Sequence, residues 1–540
     1  MSDKRIHELE TIIERLNSIG IHLSTETNSD RLFSFILEEC MHLTKSDGGS
    51  IYIKQIIEEK AFLEFSYTQN KSKTFPFNKF KMPLDKNSLA GYSGFTGEIC
   101  NFSSMEETEH IGLTHNKKFD EENNYHTCNM LVVPMKNFSG QVIGVMQLIN
   151  KKDDYERILG DSEDCTDHII PYTTEEEELI SSLTSQCAIL LERNTLLKDI
   201  KRLFKTFIES LVTSLDQRDP VTAGHSSRVA GYGICLAQTV SKTKKAPFSD
   251  VTISSDEMKA LYYAGLLHDI GKIGVKESIL LKHNRLSDDN IETIRHKCQV
   301  LKYNLIYDID RFEKEEIADI LDVFSFISHK EALLTIDDNE KKMRKFIKEN
   351  AALIASKLYE TVADINTSGY LPEENEHFLK LIKYVVYIDD SSKKVKLLTD
   401  EDYVNLSVKR GNLNAKEREL MNNHPLYTFD VLKEIAWTEA LGQVPFIAAT
   451  HHEKLTGKGY PWGLKDEEIP LFSRILAIAD IFDALTAKDR PYKPALSIER
   501  TIEILKDEAE RNNLDKELVD LFIEEKSYEQ LQHIDYTSLY

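Results

Sequence analysis

Seven side chains able to ligate metal recur beside apolar, helix-patterned segments: His225, the pair His268-Asp269, His424, the pair His451-His452, and Asp480. Ala264-Gly265-Leu266-Leu267 precedes the first pair and Phe446-Ile447-Ala448-Ala449 the second, while Ile475-Leu476-Ala477-Ile478-Ala479 runs into Asp480. Imidazole and carboxylate donors suit Fe, Mn or Zn, and a carboxylate can bridge two ions about 3.5–4 Å apart. Such a pair of ions acidifies a shared water and offsets charge growing on a phosphoryl group. One histidine at a helix end is more often structural than a ligand. The set points to a metal centre because its members sit at helix ends that can converge.

The elements that must position these groups are helical. From about residue 212 to the end the apolar pattern repeats at helical spacing. Within it, roughly 297–405 is rich in lysine and glutamate and reads as an inserted helical subdomain. A long helix precedes this region. Leu183, Leu190, Leu197, Phe204 and Leu211 fall seven apart, with Cys187, Asn194, Lys201, Ile208 and Leu215 on the adjoining seam. That repeat predicts a parallel coiled coil and a homodimer, the alternative being one amphipathic helix packed on its own domain. Earlier still, short β-branched and aromatic runs alternate with turn residues. Met130–Val133 and Val142–Met146 flank Asn137-Phe138-Ser139-Gly140, which predicts an antiparallel pair. The first 170 residues therefore read as a mixed α+β domain, opened by an amphipathic helix carrying Ile6, Leu9, Ile13 and Leu16.

Bulk properties narrow the function classes. The 540 residues are 41% hydrophobic and 29% charged, with a formal net charge of −23. So acidic a chain repels nucleic-acid polymers and anionic lipid, and a small anionic substrate must be drawn in by metals and a few cations. The seven cysteines (40, 100, 128, 165, 187, 235 and 298) form no C-x-x-C pair, as expected of reduced thiols in the cytoplasm. No apolar stretch reaches the roughly 20 residues of a membrane span, and residues 1–25 lack the apolar run of a signal peptide.

The second half resembles the HD-GYP domains, a branch of the HD phosphohydrolases that hydrolyse cyclic di-GMP. The resemblance begins at Asp219-Pro-Val-Thr-Ala-Gly-His225-Ser-Ser-Arg228 and His268-Asp-Ile-Gly-Lys-Ile-Gly-Val275. It continues at Leu413-Asn-Ala-Lys-Glu-Arg-Glu-Leu-Met-Asn-Asn-His424-Pro425 and at His451-His-Glu-Lys-Leu-Thr-Gly-Lys-Gly459-Tyr460-Pro461. It closes with Arg474-Ile-Leu-Ala-Ile-Ala-Asp480-Ile-Phe-Asp-Ala-Leu-Thr486 and Arg490-Pro-Tyr-Lys493. The resemblance implies one metal held by His225, His268, Asp269 and Asp480 and another by Asp269, His424, His451 and His452. Asp269 is then the bridge. Lys272, on the face of Asp269 if the helix continues, corresponds to the lysine that acts on the reacting phosphate. Arg490 and Lys493 correspond to residues that grip substrate phosphates, and Gly459, Tyr460 and Pro461 to the loop beside the site. Val221 stands where some members carry a glutamate for a third metal, so two ions, Fe or Mn, are expected. Thr456 departs from the usual aspartate or asparagine, and one extra residue separates Asp480 from Arg490. The segment Leu286–His296 resembles the one around His424, which is preferred for its spacing from Leu413 and for Pro425.

Residues 20–195 resemble a GAF domain through Asp47-Gly-Gly-Ser-Ile-Tyr-Ile53, Ser88-Leu-Ala-Gly-Tyr92 with Thr96-Gly97, Phe119-Asp120 and Gly144–Lys151. Asn116-Lys-Lys-Phe-Asp120 is similar to the cyclic-nucleotide-binding members; the resemblance implies a small-molecule ligand of open identity or, as the alternative, a domain that binds only another GAF domain. The expected architecture is a multidomain chain: an N-terminal helix (1–19), an α+β GAF sensor (20–178), a coiled-coil linker helix (179–211), and an all-α HD-GYP domain (212–540) with the insertion. The expected activity is hydrolysis of cyclic di-GMP to a linear dinucleotide, and in part to GMP. The alternatives are 3′,3′-cGAMP as substrate, another nucleotide or alarmone of the wider HD group, or a catalytically silent nucleotide receptor that signals through partners.

Overall fold

The computed structural model describes residues 14–20, 22, 28–74, 79–113, 120, 125–160, 167–218, 224–328, 340–487 and 495–534. Ile6, Leu9, Ile13, Asn116–Phe119, Cys165, Val221, Arg490 and Lys493 lie outside them. The chain divides into two compact units, Met1–Leu203 and Phe204–Tyr540.

In the first unit α1 (Ser29–Thr44) leads into β1 (Ser46–Ile57), β2 (Lys60–Asn70) and β3 (Lys81–Pro83). Then come α2 (Leu89–Thr96), β4 (Cys100–Phe102), β5 (Met130–Lys136), β6 (Val142–Lys151) and the start of α3 (Thr174–Arg218). The strands form one antiparallel sheet in the order β3-β2-β1-β6-β5-β4. As expected, β5 and β6 pair across the Asn137–Gly140 turn, where the Gly140 N–H donates to the Asn137 carbonyl. Successive side chains of a strand face opposite ways, so one sheet carries two cores. Leu131, Val133, Met146 and Leu148 pack on α1 and α3, while Met130, Val132 and Val145 pack with Leu89 and Phe102.

α3 is unbroken over 45 residues. The heptad seam read from the sequence is absorbed at both ends. Leu183 and Cys187 are buried in the first unit's core, and Ile208 and Leu215 in the second's. Between them Leu196, Leu197, Ile200 and Leu203 are exposed.

The second unit has two cores. One gathers α4 (His225–Lys242), α5 (Ser255–Leu267), α12 (His424–Leu432), α13 (Val444–Ala449), α14 (Leu471–Thr486), α15 (Ile498–Glu510) and α16 (Lys516–Glu524). The other runs from Leu286 to Leu406 and belongs to the segment between α5 and α12. It holds α6 (Asp288–Tyr307), α7 (Lys314–Ser328), α8 (Glu340–Thr367), α9 (Glu373–Ile382) and α10 (Asp400–Leu406). A hairpin of β7 (Val386–Ile388) and β8 (Lys394–Lys396) joins them, and α11 (Ala415–Asn422) returns the chain to α12. This core starts before residue 297, because α6 is a single helix capped by the Ser287 hydroxyl and spans that point without a break.

Candidate metal centre

The site is assembled from helix ends. His225 opens α4, His268 follows the last residue of α5, and His424 opens α12 ahead of Pro425, a residue suited to a first turn. His451 and His452 follow α13, and Asp480 projects from within α14. The structure brings all of these together with Asp269. His225 Nε2 lies 3.2 Å from Asp480 Oδ1 and 3.9 Å from Asp269 Oδ2, and His268 Nε2 lies 3.4 Å from Asp269 Oδ2. On the other side His424 Nε2 lies 3.3 Å from Asp269 Oδ1. The two oxygens of Asp269 thus face different histidines, the geometry a bridging carboxylate needs. Donor atoms lie within 4.8 Å of one another in His225/His268/Asp480, in His424/His451/His452, and in His268/Asp269/His451. His296, of the competing segment, is exposed on α6.

Whether these residues fit a metal is decided by what their free atoms do. His268, His424 and His451 each direct Nδ1 at the carbonyl three residues earlier, of Gly265, Met421 and Ala448. A carbonyl only accepts, so Nδ1 carries the proton and Nε2 presents its lone pair. Those three Nε2 atoms are buried and carry no hydrogen bond. Buried polar atoms are seldom left so, and three converging on one carboxylate fit divalent cations.

Protonation agrees. Burial pushes His268 down, holds His451 well below the ordinary imidazole value, and brings His452 to about 3. Burial alone would raise Asp269, but Lys272 and then His268 outweigh it and keep the carboxyl well below its usual range. For Asp480 the hydrogen bond from His225 likewise overcomes burial and lowers the carboxyl. His225 runs the other way: burial opposes its charge, yet the hydrogen bonds to Asp480 and Asp483 raise it to about 9. Positive charge is favoured between those carboxylates. At neutral pH His268, His451 and His452 offer free imidazole nitrogens and Asp269 and Asp480 ionised carboxylates, while the proton on His225 is one that a bound cation would displace.

Lys272 does not reach Asp269 along a continued helix. α5 stops at Leu267, and a 3-10 turn, Ile270–Gly274, takes over. Side chains three apart eclipse in such a turn, which sets Lys272 Nζ 2.7 Å from Asp269 Oδ2. Gly271 permits it, because a Cβ there would collide with the carbonyl of His424. The Gly459–Pro461 loop seats the Tyr460 ring 4.8 Å from His452 and 6.4 Å from His424. A Cβ on Gly459 would strike the backbone of Glu453 and Lys454.

Three supporting residues escaped the sequence reading. Asp483 Oδ2 lies 2.7 Å from His225 Nδ1, and the Arg228 guanidinium grips the same carboxylate from Nε at 2.6 Å and Nη2 at 3.0 Å. Their signal was spacing: Arg228 follows His225 by three and Asp483 follows Asp480 by three, one helical face each. The third is Glu453, whose buried carboxylate accepts the N–H groups of Trp462, Gly463 and Leu464 at 2.7, 3.0 and 3.0 Å. Nothing in the sequence marked it beyond its place after His452.

Comparison with known proteins assigns the units. A GAF domain model matches residues 28–191, and two HD domain models match 222–374 and 401–518. The chain is a GAF–HD protein: a GAF domain followed by a largely helical HD region. The chain is 40% identical over 116 residues to 3'3'-cGAMP-specific phosphodiesterase 2 of Vibrio cholerae, covering 22% of each chain. It is 34% identical over 172 residues to a cyclic di-GMP phosphodiesterase of Thermotoga maritima, covering 29% of this chain and 45% of that one. It is 39% identical over 98 residues to the cyclic di-GMP phosphodiesterase response regulator RpfG of Xanthomonas campestris, covering 18% of this chain and 25% of that one. The chain thus spans less than half the length of these relatives. Among solved structures, the GAF domain of an Acinetobacter phosphoenolpyruvate-protein phosphotransferase aligns at a TM-score of 0.27 and 15% identity, over 36% of this chain and 97% of that one. Among the described residues no helix is long and apolar enough to cross a membrane.

Proposed function

We propose that this chain is a metal-dependent cyclic-dinucleotide phosphodiesterase of the HD-GYP branch, acting in the cytoplasm under control of its GAF domain. The observation that carries the reading is the buried convergence of His225, His268, Asp269, His424, His451, His452 and Asp480, with unpartnered Nε2 atoms and Lys272 at one edge. His225, His268 and Asp480 would hold one ion and His424, His451 and His452 the other, with Asp269 shared between the two sets. Fe or Mn suits this donor set, and when bound such ions supply Lewis acidity that activates water and offsets charge on the phosphoryl group.

The protein's own part is positioning. Lys272 neutralises charge beside Asp269, Arg490 and Lys493 grip the outer phosphate oxygens, and Gly459, Tyr460 and Pro461 line the substrate's approach. The domain layout is a sensor over 20–178, a linker helix over 179–211 and a hydrolase over 212–540. The sensor takes a small molecule, and the exposed apolar residues of α3 support a homodimer through the linker. Cyclic di-GMP is the first substrate to test. The cGAMP-specific names of several relatives favour 3′,3′-cGAMP as the second reading.

The test is turnover of both dinucleotides by the Fe(II)- or Mn(II)-loaded chain, beside Asp269→Ala. A linear product that disappears in the variant supports the proposal. Binding of either dinucleotide to the metal-loaded chain without turnover points to a receptor.

A further inference from the structure

The last turn of α3 is fastened to the metal cluster at two places. Asp216 Oδ2 accepts the N–H of Gly224 at 2.9 Å, and Gly224 is the cap on which His225 begins α4. Arg218 donates from Nη1 to the Ile273 carbonyl at 2.7 Å and from Nη2 to the Val275 carbonyl at 2.9 Å. Those carbonyls end the turn that starts at Asp269, within which the Lys272 N–H bonds Asp269 O and the Val275 N–H bonds Lys272 O. Ile208, Val212 and Leu215 embed the same stretch of α3 in the core beside Val229 and Ala264. A shift or twist of α3 cannot leave His225 and the Asp269 turn where they are.

The other half of the cluster is supported differently. His424 and His451 are oriented by carbonyls only three residues earlier, and Tyr460 N–H binds the His452 carbonyl. None of these hydrogen bonds involves α3, but the Asp269 turn itself lies against α12: the Gly271 N–H donates to Thr428 Oγ1 at 3.0 Å, and the Thr428 hydroxyl donates to the His268 carbonyl at 2.9 Å.

We infer that Asp216 and Arg218 are positioning residues that couple α3 to the cluster unequally: Asp216 acts on His225 and so on one metal position, that of His225, His268 and Asp480, while Arg218 acts through the Asp269 turn that both positions share. The inference rests on reading the cluster as a binuclear centre, and it adds which half is open to regulation through the helix.

The test is Mn(II) titration of the full chain, with bound metal counted by electron paramagnetic resonance and calorimetry. Wild type is expected to take up two ions. His452→Ala isolates the first position and Asp480→Ala the second. Adding Asp216→Ala should weaken the remaining ion at least tenfold in the His452→Ala background and less than threefold in the Asp480→Ala background, whereas Arg218→Ala should weaken it in both. Equal weakening by Asp216→Ala in both backgrounds, or none in either, overturns the inference. Wild type that binds fewer than two ions overturns the binuclear reading itself. Should Asp216→Ala fail to fold, Asp216→Asn, which keeps an acceptor without the charge, must show the same asymmetry to a smaller degree.

Discussion

Replacing Glu453 by glutamine changes one atom and should detach the loop carrying Tyr460. In the native chain one carboxylate oxygen accepts the N–H groups of Trp462 and Gly463 and the other accepts that of Leu464. Hydrogen bonds to a charged acceptor contribute about 1.5–3 kcal/mol each, against about 1 kcal/mol for neutral ones. The glutamine oxygen can keep the first pair as neutral bonds, but its NH₂ group must then face the N–H of Leu464, donor against donor. Losing one charged bond and weakening two others costs about 3 kcal/mol locally, or roughly a 100-fold loss of protection. Trp462 lies against Phe446 at 5.5 Å between centroids, and this contact survives, so the loop loosens rather than unfolds. Hydrogen exchange of amides 462–464 measures the loss directly. Turnover should fall because Tyr460 leaves its place near His452, while uptake of two metal ions persists. Exchange within threefold of wild type would refute the assignment of Glu453 as the loop's anchor.

Asp483→Asn should weaken metal at the His225 position about 10- to 100-fold, the usual effect of removing a carboxylate behind a ligating histidine, as read by competition with a chelator. Arg285→Met should loosen the second core selectively. That side chain is fully buried and donates to carbonyls of Ile365, Ser368 and Val408, and unsatisfied carbonyls cost about 1–3 kcal/mol each. Proteolysis within 286–406 should accelerate while the His–Asp cluster still binds metal; unchanged proteolysis would count against this role. Burial pushes the thiols of Cys187 and Cys298 up to about 12, so neither should be alkylated at pH 8 until its core opens. Because the folded values lie above the ordinary 9.0, their contribution to stability is complete below pH 9 and is lost as pH rises towards 12. Fast labelling at pH 8, or stability rising over that interval, would contradict the burial.

The ligands were legible because metal chemistry constrains residue type, and helix ends are marked by apolar runs that stop. His424 could be preferred over His296 on its spacing from Leu413 and on Pro425, and the two separate clearly: one faces Asp269, the other faces solvent. What the sequence hid were contacts between distant segments. Lys272 sits beside Asp269 in either a helix or a 3-10 turn, and only the approach of the His424 backbone to Gly271 decides between them. The heptad in α3 shows a different limit. An apolar stripe against a domain core and one against a partner helix have nearly the same period, so Leu183 and Leu215 looked like seam residues although each is buried in its own unit. Asp483 and Arg228 were hidden because an outer-shell carboxylate looks like any other helical acid until its histidine is in place.

The position of the second core raises a question of tolerance. Between Lys272 and His424 the chain makes a long excursion, yet His424 Nε2 returns to 3.3 Å from Asp269. A flexible insertion of that length would blur the geometry. The structure instead closes the excursion near its root: both carboxylate oxygens of Glu417 bind Lys282 Nζ at 2.7 Å, and the Asn412 side chain donates to the Lys282 carbonyl. Arg285 ties the departing strand to Val408 on the returning one. The entropy of closing a loop grows only slowly with its length, so once the root is fixed, the size of what lies beyond adds little cost. The second core can then fold around its own apolar residues without moving His424 away from Asp269. That separation of root from bulk lets a His–Asp cluster with ångström tolerances accept a whole subdomain between two of its members.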